Sequence, residues 1–165
     1  MSTDSTFHCF VEIPKGSRNK YEWDEELGAV KLDRFLYSSV VYPTDYGYIP
    51  DTLGEDGDEL DALVCVSEAT FPGCVIEAKP IALFKMADEK GVDDKILCVP
   101  VSDPGWNTLE TLDDLPQQLA DEIMHFFSIY KDLEQKDTDV RGWFSREDAE
   151  QEIDRARERF REQKG

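Results

Sequence analysis

Apolar and polar residues alternate at a two-residue period through the first two-thirds of the chain, then switch to a helical period after residue 113. Residues 7–13 read as a strand closed by the turn-forming Pro14-Lys15-Gly16-Ser17. In residues 20–23 charged and aromatic side chains alternate, which puts Lys20 and Glu22 on one face. A turn at 26–28 leads to residues 30–35, where Val30, Leu32 and Arg34 share a side, so that Arg34 ends an otherwise apolar face. Tyr42-Pro43-Thr44-Asp45-Tyr46-Gly47-Tyr48-Ile49-Pro50 reads as a packed turn, with Tyr48 filling core space. Residues 62–66 read as a buried strand, and 74–86 as two strands or one strand bent at Pro80. A polar hairpin loop over 88–95 precedes a strand over 96–101.

Asp113 or Asp114 is placed to cap the first helix, with Pro116 in its first turn. Leu119, Ile123, Phe126, Phe127 and Tyr130 form its apolar stripe, and Lys131 complements the dipole at its C-terminal end. A second helix runs from a Ser145 cap to about Arg161, with Ala149, Ile153, Ala156 and Phe160 on one face. Its acids come early and its arginines late, as the macrodipole favours, and it reads as structural. Strands first and helices afterwards predict an α+β fold, and the absence of a linker or repeat predicts one domain over residues 1–165.

Composition narrows the function. A chain of 165 residues that is 40% hydrophobic can bury a real core. No run approaches the roughly 18 apolar residues of a membrane span, and residues 1–6, expected to be frayed, lack the basic and apolar regions of a signal peptide, so the expected location is the cytoplasm. Cys9, Cys65, Cys74 and Cys98 show no metal-binding spacing and read as reduced structural thiols. The net charge of -19 argues against nucleic acid and anionic membranes as partners, because these require a basic face. It permits a small phosphorylated substrate where local bases or metal ions reverse the field.

Charge is concentrated at one place. Six of the eleven residues from Asp51 to Asp61 are acidic and none is basic. Asp56-Gly57-Asp58-Glu59-Leu60-Asp61 is either a solvated turn or a loop for hard divalent cations, which prefer clustered carboxylates. An EF-hand counted from Asp56 fails, since positions 5, 6 and 12 hold Leu60, Asp61 and Ser67. No P-loop is present, and His8 and His125 lack the partners that nucleophilic catalysis requires. Acids at Glu12, Glu22, Asp56, Asp58, Asp61, Asp88 and Asp93, with bases at Lys20, Arg34, Lys95 and Lys131 and tyrosines at 42, 46 and 130, suit one task. Together they would hold divalent metals and a polyanion, as phosphoryl transfer to water requires.

The run Asp56-Gly57-Asp58-Glu59-Leu60-Asp61-Ala62 resembles the signature of the family I soluble inorganic pyrophosphatases. Val11-Glu12-Ile13-Pro14, Lys20-Tyr21-Glu22, Leu32-Asp33-Arg34-Phe35, Tyr42-Pro43, Asp45-Tyr46-Gly47-Tyr48, Asp93-Asp94-Lys95 and Tyr130-Lys131-Asp132-Leu133 match in family order. The resemblance implies a distorted five-stranded OB-type barrel with two outer helices, hydrolysis of pyrophosphate to two orthophosphates, and several Mg²⁺ ions per site, with Mn²⁺ or another divalent ion as substitute. It implies metal ligation by Asp56, Asp61, Asp88 and Asp93 with Glu12 and Glu22, and Asp61 bridging two ions. It implies substrate binding by Lys20, Arg34, Tyr46, Tyr130 and Lys131, with Tyr42 and Lys95 nearby. Asp58, or alternatively Asp93, is the implied base, and a homohexamer the implied assembly. Two positions depart from the pattern: Glu59 stands where proline is more usual, and Ile129 where some bacterial hexamers have histidine. The alternative is an OB-type module that binds metal and anion without turnover.

Overall fold

The computed structural model describes residues 5–164; the frayed segment expected at the N-terminus lies, up to Asp4, outside them. Among the described residues, nine strands and two α-helices make an α+β structure. The strands are β1 (Phe7–Ile13), β2 (Asn19–Asp24), β3 (Ala29–Phe35), β4 (Asp45–Ile49), β5 (Leu60–Val64), β6 (Val75–Asp88), β7 (Gly91–Val92), β8 (Lys95–Pro100) and β9 (Asp139–Phe144). The helices are α1 (Gln117–Ile129) and α2 (Arg146–Lys164). In the main sheet β1, β4, β5, β8 and β6 lie side by side, and β1 pairs again with β6, closing a ring of five strands. Only the β5–β8 pair is parallel. β7 and β9 add to β6, while β2 and β3 pair only with each other. No helix among the described residues is long and apolar enough to cross a membrane.

Both faces of β5 and β8 are covered, which is why they read as near-continuous apolar runs. Leu63 and Leu97 enter a core shared with Ile123, Phe126 and Phe127 of α1. Their neighbours Ala62, Val64, Ile96 and Cys98 enter a second core shared with Ala149, Ile153 and Ala156 of α2. Burying a side chain such as Ile123 or Phe127 contributes about 1.5–3 kcal/mol over leaving it exposed. The 74–86 stretch is one bent strand: pairing with β8 shifts register between Pro80 and Ala82, a bulge that accommodates a residue without an N–H.

Four local expectations are corrected. Residues 45–49 form β4, hydrogen-bonded between β1 and β5, rather than a turn. A Cβ at Gly47 would stand 2.0 Å from the Phe10 carbonyl oxygen, so that glycine lets β1 approach instead of breaking the strand. Tyr48 is half-buried against Phe10, and Tyr42 is the tyrosine that fills the core. Val30, Leu32 and Arg34 do not form a covered face: Leu32 is 52% exposed, and it is Tyr21 and Trp23 of β2 that pack on the core and on Phe10. Pro116 is the N-cap of α1, and Asp114 serves a preceding 3₁₀ turn, Leu112–Asp114, accepting the N–H groups of Glu110 (2.8 Å) and Thr111 (3.2 Å). β9 also went unpredicted. It is an edge strand interrupted by Gly142 at φ 105° and irregular in register against β6.

Asp45 ties the start of β4 to two loops, since its buried carboxylate accepts the Lys15 N–H (2.8 Å) and the Thr70 N–H and hydroxyl. Asp45→Asn turns an acceptor into a donor facing these groups, so the urea midpoint should fall by the equivalent of about 1–3 kcal/mol. The two N–H donors hold Asp114 below the usual carboxylate range. Its contribution is therefore present at neutral pH and lost only as pH falls below that range, through the lowered folded-state value. Amide exchange protection of Glu110 and Thr111, corrected for intrinsic rates, should hold from pH 6 to about pH 4 and drop below it.

Candidate active site

The strand ends and loops on one side of the ring enclose a cleft of about 460 Å³. β1 supplies Glu12, β2 Lys20 and Glu22, β3 Arg34, β4 Tyr46 and β5 Asp61. The loop before β5 supplies Asp56 and Asp58, the β6–β8 segment Asp88 and Asp93, and the end of α1 Tyr130 and Lys131. Twelve of the fourteen residues proposed from the sequence thus line one cavity. The other two lie beneath its floor. Lys95 is fully enclosed, and Tyr42 is packed between Tyr46 and Phe126. The larger concavity between β1 and α2, about 670 Å³, holds none of the fourteen.

The floor is organised by Lys95. Its ammonium donates to Asp61 (3.0 Å) and to the Tyr46 hydroxyl (2.9 Å) and pairs with Asp93 (3.1 Å), while the Tyr46 hydroxyl donates to Asp61 (2.8 Å). Burial alone would lower the Lys95 pKa, but Asp61 and Asp93 outweigh it and keep the ammonium charged. Burial pushes Asp93 up despite Lys95, and pushes Glu12 up to about 8 despite the Trp23 N–H it accepts at 2.9 Å. Asp56 is raised by burial as well, against the pull of the Asp58 N–H. Asp88 is the opposite case: the Lys90 N–H and the Lys131 ammonium overcome its burial and hold it low.

Every base on the cleft wall is paired with an acid. Lys20 reaches Asp33 (3.2 Å) and Glu22 (3.5 Å), and Arg34 reaches Asp33 (2.7 Å) and Glu134 (3.1 Å). Lys131 spans Asp88 and Glu89, both at 3.3 Å, Lys136 approaches Glu89 and Glu134, and Lys90 meets Asp58 at 3.4 Å. Asp33, Glu89, Lys90, Glu134 and Lys136 were not singled out from the sequence. Their pairs join separate segments, and the one local signal was the charge density around residues 88–95 and 131–136. Glu59, which stands where the resembled pattern more usually has proline, also lies on the wall.

Ten carboxylates face five cations across this cleft. Such an excess, with Glu12 and Asp93 displaced toward protonation, is relieved by added positive charge, and the donors are the hard oxygens that divalent cations prefer. Among the described residues no three carboxylates already converge as a closed metal cage. A cleft of this kind defines a class, the metal-assisted sites that handle small, highly charged phosphate esters or anhydrides.

The comparisons name the member of that class. The family model described as inorganic pyrophosphatase matches residues 9–161. A protein named inorganic pyrophosphatase from Methanosarcina mazei is 53% identical over 163 residues, covering 98% of this chain and 96% of the relative. One of the same name from Streptomyces coelicolor is 52% identical over 160 residues, covering 96% and 98%. The crystal structure of the Thermus thermophilus inorganic pyrophosphatase superposes with a TM-score of 0.93 at 41% identity, covering 98% of this chain and 94% of that one. The chain belongs to the inorganic pyrophosphatase family.

Lys95→Met removes the one cation beneath Asp61 and Asp93 and leaves two partly buried carboxylates facing each other. Stability should fall by about 3–5 kcal/mol, as for other broken buried pairs, read as a lower urea midpoint. Lys31→Met, on an exposed strand position, should change it by less than about 0.5 kcal/mol.

Proposed function

We infer that the chain is an inorganic diphosphatase that hydrolyses pyrophosphate to two orthophosphates. The supporting observation is the one cleft in which interleaved carboxylates and bases can hold divalent ions and a polyanion together. Glu12, Glu22, Asp56, Asp61, Asp88 and Asp93 would hold the ions, Mg²⁺ being the expected one and Mn²⁺ a substitute. Bound there, such ions acidify water and offset phosphate charge.

Lys20, Arg34 and Lys131 are the phosphate ligands. Each exchanges a carboxylate partner for a phosphate oxygen, with Arg34 offering a planar fork and the lysines point charges. Tyr130 adds a hydroxyl donor at the cleft wall, and the Tyr46 hydroxyl, which donates to Asp61, would do so on exchanging that partner for a phosphate oxygen. Asp58 is the favoured base: it is largely exposed at the cleft mouth, and among the described residues its one ion pair is with the exposed Lys90 ammonium at 3.4 Å. It takes a proton from water as the water oxygen bonds to one phosphorus and the bond from that phosphorus to the bridging oxygen breaks. The departing phosphate takes the electron pair, beside the bases. Asp93 is the alternative base, although its place against Lys95 fits a supporting role better. Lys95 and Tyr42 act from below by fixing Asp61 and Tyr46.

The same reading takes residues 1–165 as one catalytic unit and the five-strand ring as an OB-type barrel. It also places the protein in the cytoplasm as a homo-oligomer, a hexamer by resemblance. Leu32, Phe35 and Tyr37 remain exposed along one edge, which fits a contact between copies.

With saturating Mg²⁺ and pyrophosphate, the protein should release orthophosphate, and chelation should stop it. Asp61→Asn should lower kcat at least about 100-fold, in line with the loss of a ligand to a catalytic metal. Mg²⁺ binding without any release of orthophosphate would replace the enzyme with an inactive binding module.

A further inference from the structure

The helix α2 contributes no residue to the cleft wall, yet it grips the loop that carries Asp56 and Asp58. Arg159 Nε donates to the Leu53 carbonyl at 2.8 Å, and the Leu53 N–H donates to the Ala156 carbonyl at 3.0 Å. The guanidinium is itself fixed: Nη2 pairs at 2.5 Å with Glu152, a residue only 4% exposed. From Leu53 the constraint passes directly into the acidic run. The Gly54 N–H donates to the Asp58 carbonyl (2.6 Å), the Gly57 N–H to the Gly54 carbonyl (3.1 Å), and the Asp58 N–H to the Asp56 carboxylate (3.1 Å). The buried Thr52 hydroxyl completes the frame, accepting the Leu60 N–H at 3.0 Å.

Six acids between Asp51 and Asp61 repel one another, so the loop does not hold a compact shape through its own charges. Its shape comes from backbone bonds whose outer anchor is α2. Glu152 also borders a small cavity shared with Asp56, Glu59, Asp93 and Asp94, where an unpaired carboxylate would add to the repulsion. Arg159 offsets that charge while it holds Leu53.

We propose that Arg159, locked by Glu152, is a positioning residue that presets the Asp56–Asp61 loop for divalent cations before substrate arrives. The proposal rests on reading Asp56 and Asp61 as metal ligands. It gives α2 a part in metal affinity rather than in stability alone. Groups that orient ligands in this way typically alter metal affinity by roughly 10–100-fold when removed.

The test is calorimetric titration with Mg²⁺ alone, without pyrophosphate, together with amide exchange over residues 53–60. The double variant Glu152→Gln with Arg159→Leu leaves the local net charge unchanged and removes the bond to Leu53. It should weaken Mg²⁺ binding at least about 10-fold and speed exchange at Gly54, Gly57 and Asp58. At saturating Mg²⁺ its KM for pyrophosphate should stay near that of the parent. The control, Glu158→Gln with Arg161→Leu, removes an exposed pair of the same helix at the same net charge and keeps both the Glu152–Arg159 lock and the Arg159–Leu53 bond. It should bind Mg²⁺ as the parent does. Should the first variant fail to fold, Arg159→Lys takes its place; it keeps the charge, cannot bridge both partners, and should give a smaller loss in the same direction. Parent-like binding and exchange in the Arg159 variants, or equal weakening in the control, would overturn the proposal. Failure of the parent itself to bind Mg²⁺ would instead refute the reading of the acids as metal ligands.

Discussion

The enclosed ammonium of Lys95 is the contact on which the cleft depends. Asp61 and Asp93 stand on neighbouring segments, β5 and the residues leading into β8, and without a cation between them their charges would force the parallel pair apart or keep one acid protonated. With the cation there, the two strands register as Asp61 opposite Lys95, and Tyr46 on β4 is drawn into the same knot. Three strands of the ring are thereby aligned at the end where the cleft opens. Lys95 thereby sets the geometry of the residues above it.

The bases above the floor are latched to acids, so each cation of the cleft wall is paired while carboxylates remain in excess. On the proposed function, binding a polyanion would be an exchange of partners: each base would leave a carboxylate as it met a phosphate oxygen, and the freed carboxylate would become available to a metal ion. Such exchange would reduce the penalty of exposing unpaired charge at any stage. It would also couple substrate and metal, since each would create a vacancy that suits the other.

Much of this was legible in the chain because strands buried on both faces and amphipathic helices leave strong patterns. β5, β8, α1 and α2 were found within the ambiguity of element ends. What escaped lacked a local signature. β4 was hidden because Gly47, needed for close approach to Phe10, mimics a turn residue. β9 was hidden by Gly142 and by its polar edge residues Asp139 and Arg141. The acids and bases of the cleft could be listed, but not their pairing: Glu134 with Arg34 is a contact across 100 positions. Nor did any pattern distinguish Lys95 from Lys131, one beneath the floor and one on the wall, because both follow acidic or aromatic neighbours in similar ways.

β6, the bent strand, has a wider consequence. It pairs with β1, β7, β8 and β9, and its side chains enter both hydrophobic cores, Phe84 on the α1 side and Leu83 on the α2 side. Neither helix has a core of its own to retreat to, so the loss of one half strips the other of a shared wall. The molecule is built to melt as a unit, with no separately stable half in which a formed cleft could survive.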